Sequence, residues 1–334
     1  MNLSNNALNG YLSLCYHYIR NEDSENLFPR ILGTSVNEFE KHVEMFFEHF
    51  QLISPSNALA FSYSDYNFKT NQAGLLLTFD DGLSDHFIAA KILAKHGIKA
   101  IFFIPTCILK DELPANPIII HYCIAKFGLS NFLIELKYAL EKHLHNFQNH
   151  VIEFTKGKDN PYEIINKIKN LIKYGLDQKL SRIILLEIYE NMFHNKYSNA
   201  MEIMHLTKEQ ISEILEMGHS IGTHTHSHIS VGSSKHTDDE FNFEIIEPKN
   251  YLEKSFGIKI DFMSYPFGGV VDCLSSKDLI VKTNSYKLVF TVEEILNKKS
   301  TSPFELGRYI PTSSDTSELI YKKMNSMIIE NEIK

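Results

Sequence analysis

The sequence predicts an α/β fold built on parallel strands, and two stretches carry that expectation. Leu75-Leu76-Leu77-Thr78-Phe79 is an unbroken apolar, β-favouring run ending on Asp80, Asp81 and Gly82, the pattern of a buried strand that delivers acids at its C-terminal end. Lys99-Ala100-Ile101-Phe102-Phe103-Ile104 has the same character, and between the two Ile88, Ile92 and Leu93 recur at helical spacing up to Gly97. Strand, helix and strand at this length form a βαβ unit with a right-handed crossover.

Taken in order, residues 11–16 read as a first strand, followed by His17-Tyr18 and a polar, charged loop through Arg30. Ser35 and Glu38 form a capping-box pattern, after which Val36, Phe39, Val43, Phe46, Phe47 and Phe50 repeat along one stripe, so these aromatics pack a core rather than form a ligand-stacking platform. Beyond the βαβ unit, Leu129–Leu144, Tyr162–Tyr174 and Lys179–Phe193 have helical spacing, with a turn over Gly157–Pro161. Thr207 and Gln210 form a second box for a helix that runs through Met217 and stops at Gly218, before a short strand into Gly222. Glu240–Phe256 reads as a helix that Pro248 must kink or split. Ile260–Ser264 and Lys287–Thr291 complete the strands, and the Asn- and Lys-rich ends, Met1–Gly10 and Asn325–Lys334, read as frayed termini.

The 334 residues, 43% hydrophobic and 22% charged, suit a globular protein, and a net charge of -8 argues against a nucleic-acid partner. Four cysteines are scattered without a C-x-x-C pair and read as reduced, buried thiols. The N-terminus lacks a basic n-region and no stretch approaches the ~20 apolar residues of a membrane span, so the expectation is a cytoplasmic protein with no transmembrane segment. No repeat or long linker divides the chain.

Two clusters carry chemistry. Adjacent carboxylates at a strand end repel, and burying them unpaired costs several kcal/mol each, so Asp80-Asp81 calls for a cation or a bound proton unless it is simply an acidic turn that caps the helix near Ser84. Far downstream, His224 and His228 are four apart in Gly222-Thr223-His224-Thr225-His226-Ser227-His228, a spacing that lets two imidazoles meet one metal, with Asp81 as a third, harder ligand and a position left for water.

Thr78-Phe79-Asp80-Asp81-Gly82 resembles the first motif of the NodB-type polysaccharide deacetylases, carbohydrate esterase family four. His224-Thr225-His226-Ser227-His228 resembles their second motif, H-[ST]-x-x-H, and Ser264-Tyr265-Pro266-Phe267-Gly268 is similar to a variant of the third, in the same order. The resemblance implies a distorted, incomplete (β/α) barrel of about seven strands, formed by residues 1–108 and 206–334. It leaves 109–205 outside as a mostly helical insertion, a substrate lid or a structural covering. It also implies one divalent metal, Zn²⁺ first and other first-row ions next, on Asp81, His224 and His228, with Asp80 as the base and the backbone N–H of Phe267 facing the oxyanion. His226 falls at a variable position, expected behind the ligands or exposed.

This sequence departs from the pattern twice. Where the third motif commonly begins with the arginine that orients the base, Ser264 stands, and Arg308 in Leu306-Gly307-Arg308-Tyr309 is a candidate substitute, unless it is an ordinary surface arginine. No histidine follows His236, so the usual late general acid is missing. Tyr16-His17 resembles a tyrosine-histidine pair of the poly-N-acetylglucosamine deacetylase branch that would supply it, the alternative being that His17 simply caps a strand or bonds a backbone carbonyl. The function so implied is a metal-dependent hydrolase that removes an N-acyl group, most simply acetyl, from an amino sugar of a cell-envelope glycan or its precursor. Rival expectations are a catalytically silent carbohydrate-binding barrel and a hydrolase of a small non-sugar amide. The sequence has no signal for oligomeric state.

Overall fold

The computed structural model describes residues 10–20, 28, 30–68, 72–144, 160–233 and 236–333. Eight strands form one sheet: β1 (Gly10–Tyr16), β2 (Gln51–Leu52), β3 (Gly74–Phe79), β4 (Ile101–Ile104), β5 (Ser220–Thr223), β6 (Phe262–Ser264), β7 (Leu288–Phe290) and β8 (Asn297–Lys298). Their order is β7-β6-β5-β4-β3-β1-β8, with β2 also on β3. Every pairing is parallel except that of β8 with β1. The sheet curls into the expected distorted, incomplete (β/α) barrel.

The gap between β1 and β7 is spanned by Leu306–Tyr309. On one side Leu306 N donates to Val289 O at 3.0 Å and Thr291 N to Leu306 O at 2.8 Å; on the other, Tyr309 N donates to Ser13 O at 2.9 Å and Cys15 N to Tyr309 O at 2.8 Å. This strap satisfies backbone groups that two open sheet edges would leave bare.

Because both faces of β3 are covered, its residues form a continuous apolar run rather than an alternating one: Leu75, Leu76, Leu77 and Phe79 are all fully buried. Phe79 stacks on Phe102 of β4 with ring centroids 4.6 Å apart. Helix Val36–His49 buries Phe39, Val43 and Phe46, with Ser35 as its N-cap. Two expectations fail here. Glu38 does not close the capping box but accepts from Ser317 N at 3.1 Å, and Phe47 sits half-exposed at the edge of the apolar stripe.

Pro248 acts as expected by splitting its helix. A π turn over Asn242–Ile246 joins helices Asp238–Phe241 and Glu247–Phe256, and Pro248 lies in the first turn of the latter, where its missing N–H has no partner to lose. Between β4 and β5 the described chain is helical, including Asn116–Phe127, Leu129–His143, Pro161–Asn170 and Gln178–Met192. Most of the turn expected at Gly157–Pro161 and all but the last residue of the expected N-terminal fraying lie outside the described residues. Among the described residues no helix is long and apolar enough to cross a membrane.

Candidate active site

The parallel strands deliver their C-terminal ends to one rim, where β/α folds gather chemistry. Asp80 and Asp81 follow β3, His224 follows β5, Ser264 ends β6, and His17 follows β1. The backbone at this rim is tightly constrained. Asp81 (φ 78°), Thr225 (φ 59°), His228 (φ 61°) and Phe267 (φ 64°) all occupy the left-handed region, at about 1–3 kcal/mol each for non-glycine residues.

The histidine loop is held in that shape by Glu244. One of its carboxylate oxygens accepts from His226 N (3.1 Å) and Ser227 N (2.9 Å), the other from Ser227 Oγ (2.8 Å), and Thr225 Oγ1 accepts from His228 N at 3.0 Å. Nothing in the spacing of Glu244 singled it out. His226 is buried behind the ligand pair, with Nε2 2.7 Å from Asp111 Oδ2 and Nδ1 3.0 Å from Thr106 Oγ1. His205 braces the Asp81-Gly82 turn: Ala115 N donates to its Nε2 at 3.3 Å, leaving Nδ1–H to donate to Gly82 O at 3.2 Å, and burial depresses its pKa to about 4, so it is neutral.

Within this frame Asp81, His224 and His228 converge. Asp81 Oδ1 lies 2.9 Å from His228 Nε2 and 3.3 Å from His224 Nε2, and all three side chains are buried. His224 Nδ1 is 3.0 Å from the Ser264 carbonyl, which only accepts, so Nδ1 carries the hydrogen and Nε2 turns a lone pair toward Asp81. Asp81 Oδ1 has no hydrogen-bond partner although it is buried among these nitrogens. A carboxylate oxygen facing an imidazole nitrogen at this distance needs a proton or a metal ion between them, and against burial the two carboxylates accordingly raise the His224 pKa; one oxygen with two nitrogens is also a donor set that divalent first-row metals accept. These residues could therefore hold a metal ion. Burial alone would raise the Asp81 pKa, but the adjoining His228 and His224 outweigh it and hold the carboxyl well below its usual range.

Asp80 lies beside this cluster, with Oδ2 3.9 Å from His224 Nε2, and pairs with Arg308. The fully buried guanidinium, carried by the strap, donates from Nη1 to Asp80 Oδ1 and from Nη2 to Oδ2, both at 2.7 Å, while its Nε donates to Thr291 O at 2.9 Å. Burial raises the Asp80 pKa, and the Arg308 charge reverses that and holds it well below the ordinary carboxylate range. The surface-arginine alternative for Arg308 is thereby excluded. Ser264 Oγ lies 2.7 Å from His224 Nδ1 and donates to Asp80 Oδ1 at 3.3 Å, so it touches both the candidate base and a candidate ligand.

Breaking the Arg308–Asp80 pair leaves a buried charge without a partner. Arg308→Met is expected to lower stability by about 3–5 kcal/mol, and Arg308→Met combined with Asp80→Asn by less. Denaturant titration of the two variants and the wild type checks this; equal stability of the single variant and the wild type would refute the pairing.

His17 Nε2 stands 4.0 Å from Asp81 Oδ2, and its backbone carbonyl accepts from His86 Nε2 at 2.9 Å. Burial holds His86 neutral, with a pKa near 3. The Phe267 ring meets His228 edge-on, centroids 4.8 Å apart, and Lys173 Nζ lies 4.0 Å from the same ring. A cavity of about 460 Å³ opens over these groups, lined by His17, Asp80, Asp81, His224, His228 and Phe267 on the barrel side. Asn116, Ile120, His121, Asn166, Lys169 and Gln178 line it from the helices between β4 and β5. Its volume is in the range of small-molecule sites, about 300–1,000 Å³.

Residues 188–285, which include the histidine loop and the Ser264–Gly268 turn, match the family model for Polysaccharide deacetylase. The matched stretch is under a third of the chain, and over it the chain is similar to the polysaccharide deacetylases. No curated protein sequence matches the chain.

Its fold is shared by solved structures of low identity. The Streptococcus pyogenes deacetylase PplD, solved with acetate, is 17% identical with a TM-score of 0.56, over 94% of this chain and 98% of that one. IcaB from Ammonifex degensii is 16% identical with a TM-score of 0.55, over 95% and 97%. A de-N-acetylase from Aggregatibacter actinomycetemcomitans is 14% identical with a TM-score of 0.54, over 94% and 99%. The family match begins after Asp80 and Asp81, so the acidic half of the site is defined by its position across from the matched histidines.

Proposed function

We propose that this protein is a metal-dependent hydrolase that removes an N-acyl group, most simply acetyl, from an amino sugar of a cell-envelope glycan or its precursor. The observation that carries the reading is the buried Asp81 oxygen, unpartnered between two imidazole nitrogens, on the floor of a cavity that also exposes a second carboxylate and a histidine.

A divalent ion on Asp81, His224 and His228, with Zn²⁺ the first candidate, would supply Lewis acidity toward water and the acyl carbonyl. Asp80 receives the proton of the attacking water. With Arg308 across both its oxygens it stays ionised but is a weak base, so the proton reaches it only as the new C–O bond forms. Oδ1 also accepts from Ser264 Oγ, so Oδ2 is the oxygen that keeps a further lone pair for that proton. The N–H of Phe267, fixed by its left-handed backbone, is assigned to the developing oxyanion, where geometry counts rather than side-chain identity. His17, on the cavity wall, is assigned to protonate the leaving amine. The helices of 109–205 supply the other wall and, in this reading, choose the substrate.

Amine release from a panel of N-acetylated sugars and non-sugar amides, measured before chelation, after it, and after Zn²⁺ or Co²⁺ is restored, tests the proposal. Release is expected only from sugars and is expected to fall at least about 10²-fold on chelation and return with metal. Undiminished release without metal would sink the metal dependence. Sugar binding without release would indicate a silent binding barrel, and release confined to non-sugar amides would replace the substrate class.

A further inference from the structure

We propose that the substrate carries an anionic group, a phosphate ester or a carboxylate, next to the sugar whose amide is cut, and that Lys169 recognises it. The inference rests on the amide-hydrolase reading above and specifies its substrate. Lys169 lies on helix Pro161–Asn170 and lines the cavity opposite the barrel rim.

The other full charges on the cavity wall have partners or an assigned cation. Asp80 is matched by Arg308, and Lys173 Nζ is 2.9 Å from Asp272 Oδ2. Asp81 belongs to the candidate metal cluster. Lys169 is partly buried and makes no ion pair among the described residues. Burial pushes its pKa down, and only the more remote Asp81 charge pulls it back. With a divalent ion on Asp81 that compensation is gone, and the cavity has an excess of positive charge in a chain whose net charge is -8.

Neutral sugar hydroxyls do not require such a group. Asn116, Asn166, Asn170 and Gln178 already line the same wall with amides that donate and accept. An ammonium also donates to neutral oxygens, but a partly desolvated one gains most from an anion, by a charge-assisted hydrogen bond about twice as strong as a neutral one. A phosphate and a carboxylate meet the same requirement, so the experiment must separate them.

The test uses the whole metal-loaded chain and three defined sugars: N-acetylglucosamine as the neutral reference, its 1-phosphate, and N-acetylglucosaminuronic acid. Amine release and, separately, calorimetric binding are measured for the wild type, Lys169→Gln and Lys169→Arg. One charged sugar is expected to exceed the neutral one in kcat/KM by about tenfold or more, the better of the two naming the anion. Lys169→Gln should remove most of that advantage through KM, and Lys169→Arg should restore much of it. Equal kcat/KM and Kd for neutral and charged sugars in the wild type, or an advantage that survives Lys169→Gln, overturns the proposal. If no sugar releases amine, the hydrolase reading fails. The calorimetric comparison then decides anion recognition alone: a charged-over-neutral difference lost in Lys169→Gln supports it, and one that is absent or unchanged refutes it.

Discussion

His228→Asn is expected to lose bound divalent metal and about 10³-fold of kcat/KM, since metal activation of water and carbonyl together contributes several kcal/mol to the transition state. Asparagine is the informative substitution because His228 sits at φ 61°, a region asparagine tolerates and alanine does not, so ligand loss is separated from backbone strain. Metal content by elemental analysis, and the rise in Tm on adding Zn²⁺, report on the ligand independently of turnover. The wild type should gain Tm with metal by mass action, and the variant should not. Full metal occupancy with unchanged kcat/KM in the variant would end the assignment of His228 as a ligand.

His17→Gln is expected to lower kcat on an N-acetyl sugar by about 10²- to 10⁴-fold, the scale of general acid catalysis, while metal content stays that of the wild type. Glutamine keeps a hydrogen-bonding side chain of similar reach but cannot deliver a proton. His17 Nε2 is 4.0 Å from Asp81 Oδ2, beyond hydrogen-bond distance, so its loss should not disturb the ligands. A substrate with a leaving group that needs no proton, such as an activated ester, should lose much less. Wild-type kcat in His17→Gln on the amide would show that the amine takes its proton elsewhere, and loss of activity accompanied by loss of metal would mean a structural role.

The strands of this fold are legible in the sequence because they are buried on both faces: a run such as Leu75–Phe79 has no other stable placement. The two short motifs can be located from their own residues, and the fold brings Asp81, His224 and His228 within ligand distance of one another. Arg308 could not be interpreted the same way. It has no local pattern, and its burial follows from a strap that closes a sheet whose edges are distant in sequence. Ser264 marks an absence in sequence, whereas in space its hydroxyl joins Asp80 to His224. Glu244, His205 and His86 were missed for a related reason, since each acts by bonding another residue's backbone and such bonds leave no periodicity. The helix Asn116–Phe127 went unseen because nearly all of its faces are buried, which erases the amphipathic signal.

The strap over Leu306–Tyr309 also dictates when the site can exist. It joins β1 to β7 through residues near the end of the described chain, so its contacts with β1 link positions far apart in sequence, the kind of pairing that loop-closure entropy disfavours early in folding. Until it docks, Asp80 has no guanidinium across its carboxylate and the barrel has bare edges at β1 and β7. A nascent chain emerging from the ribosome would therefore hold both motifs without a poised base, and would expose pairing edges that invite association with other chains. Completion of the barrel and arming of the base are one folding event.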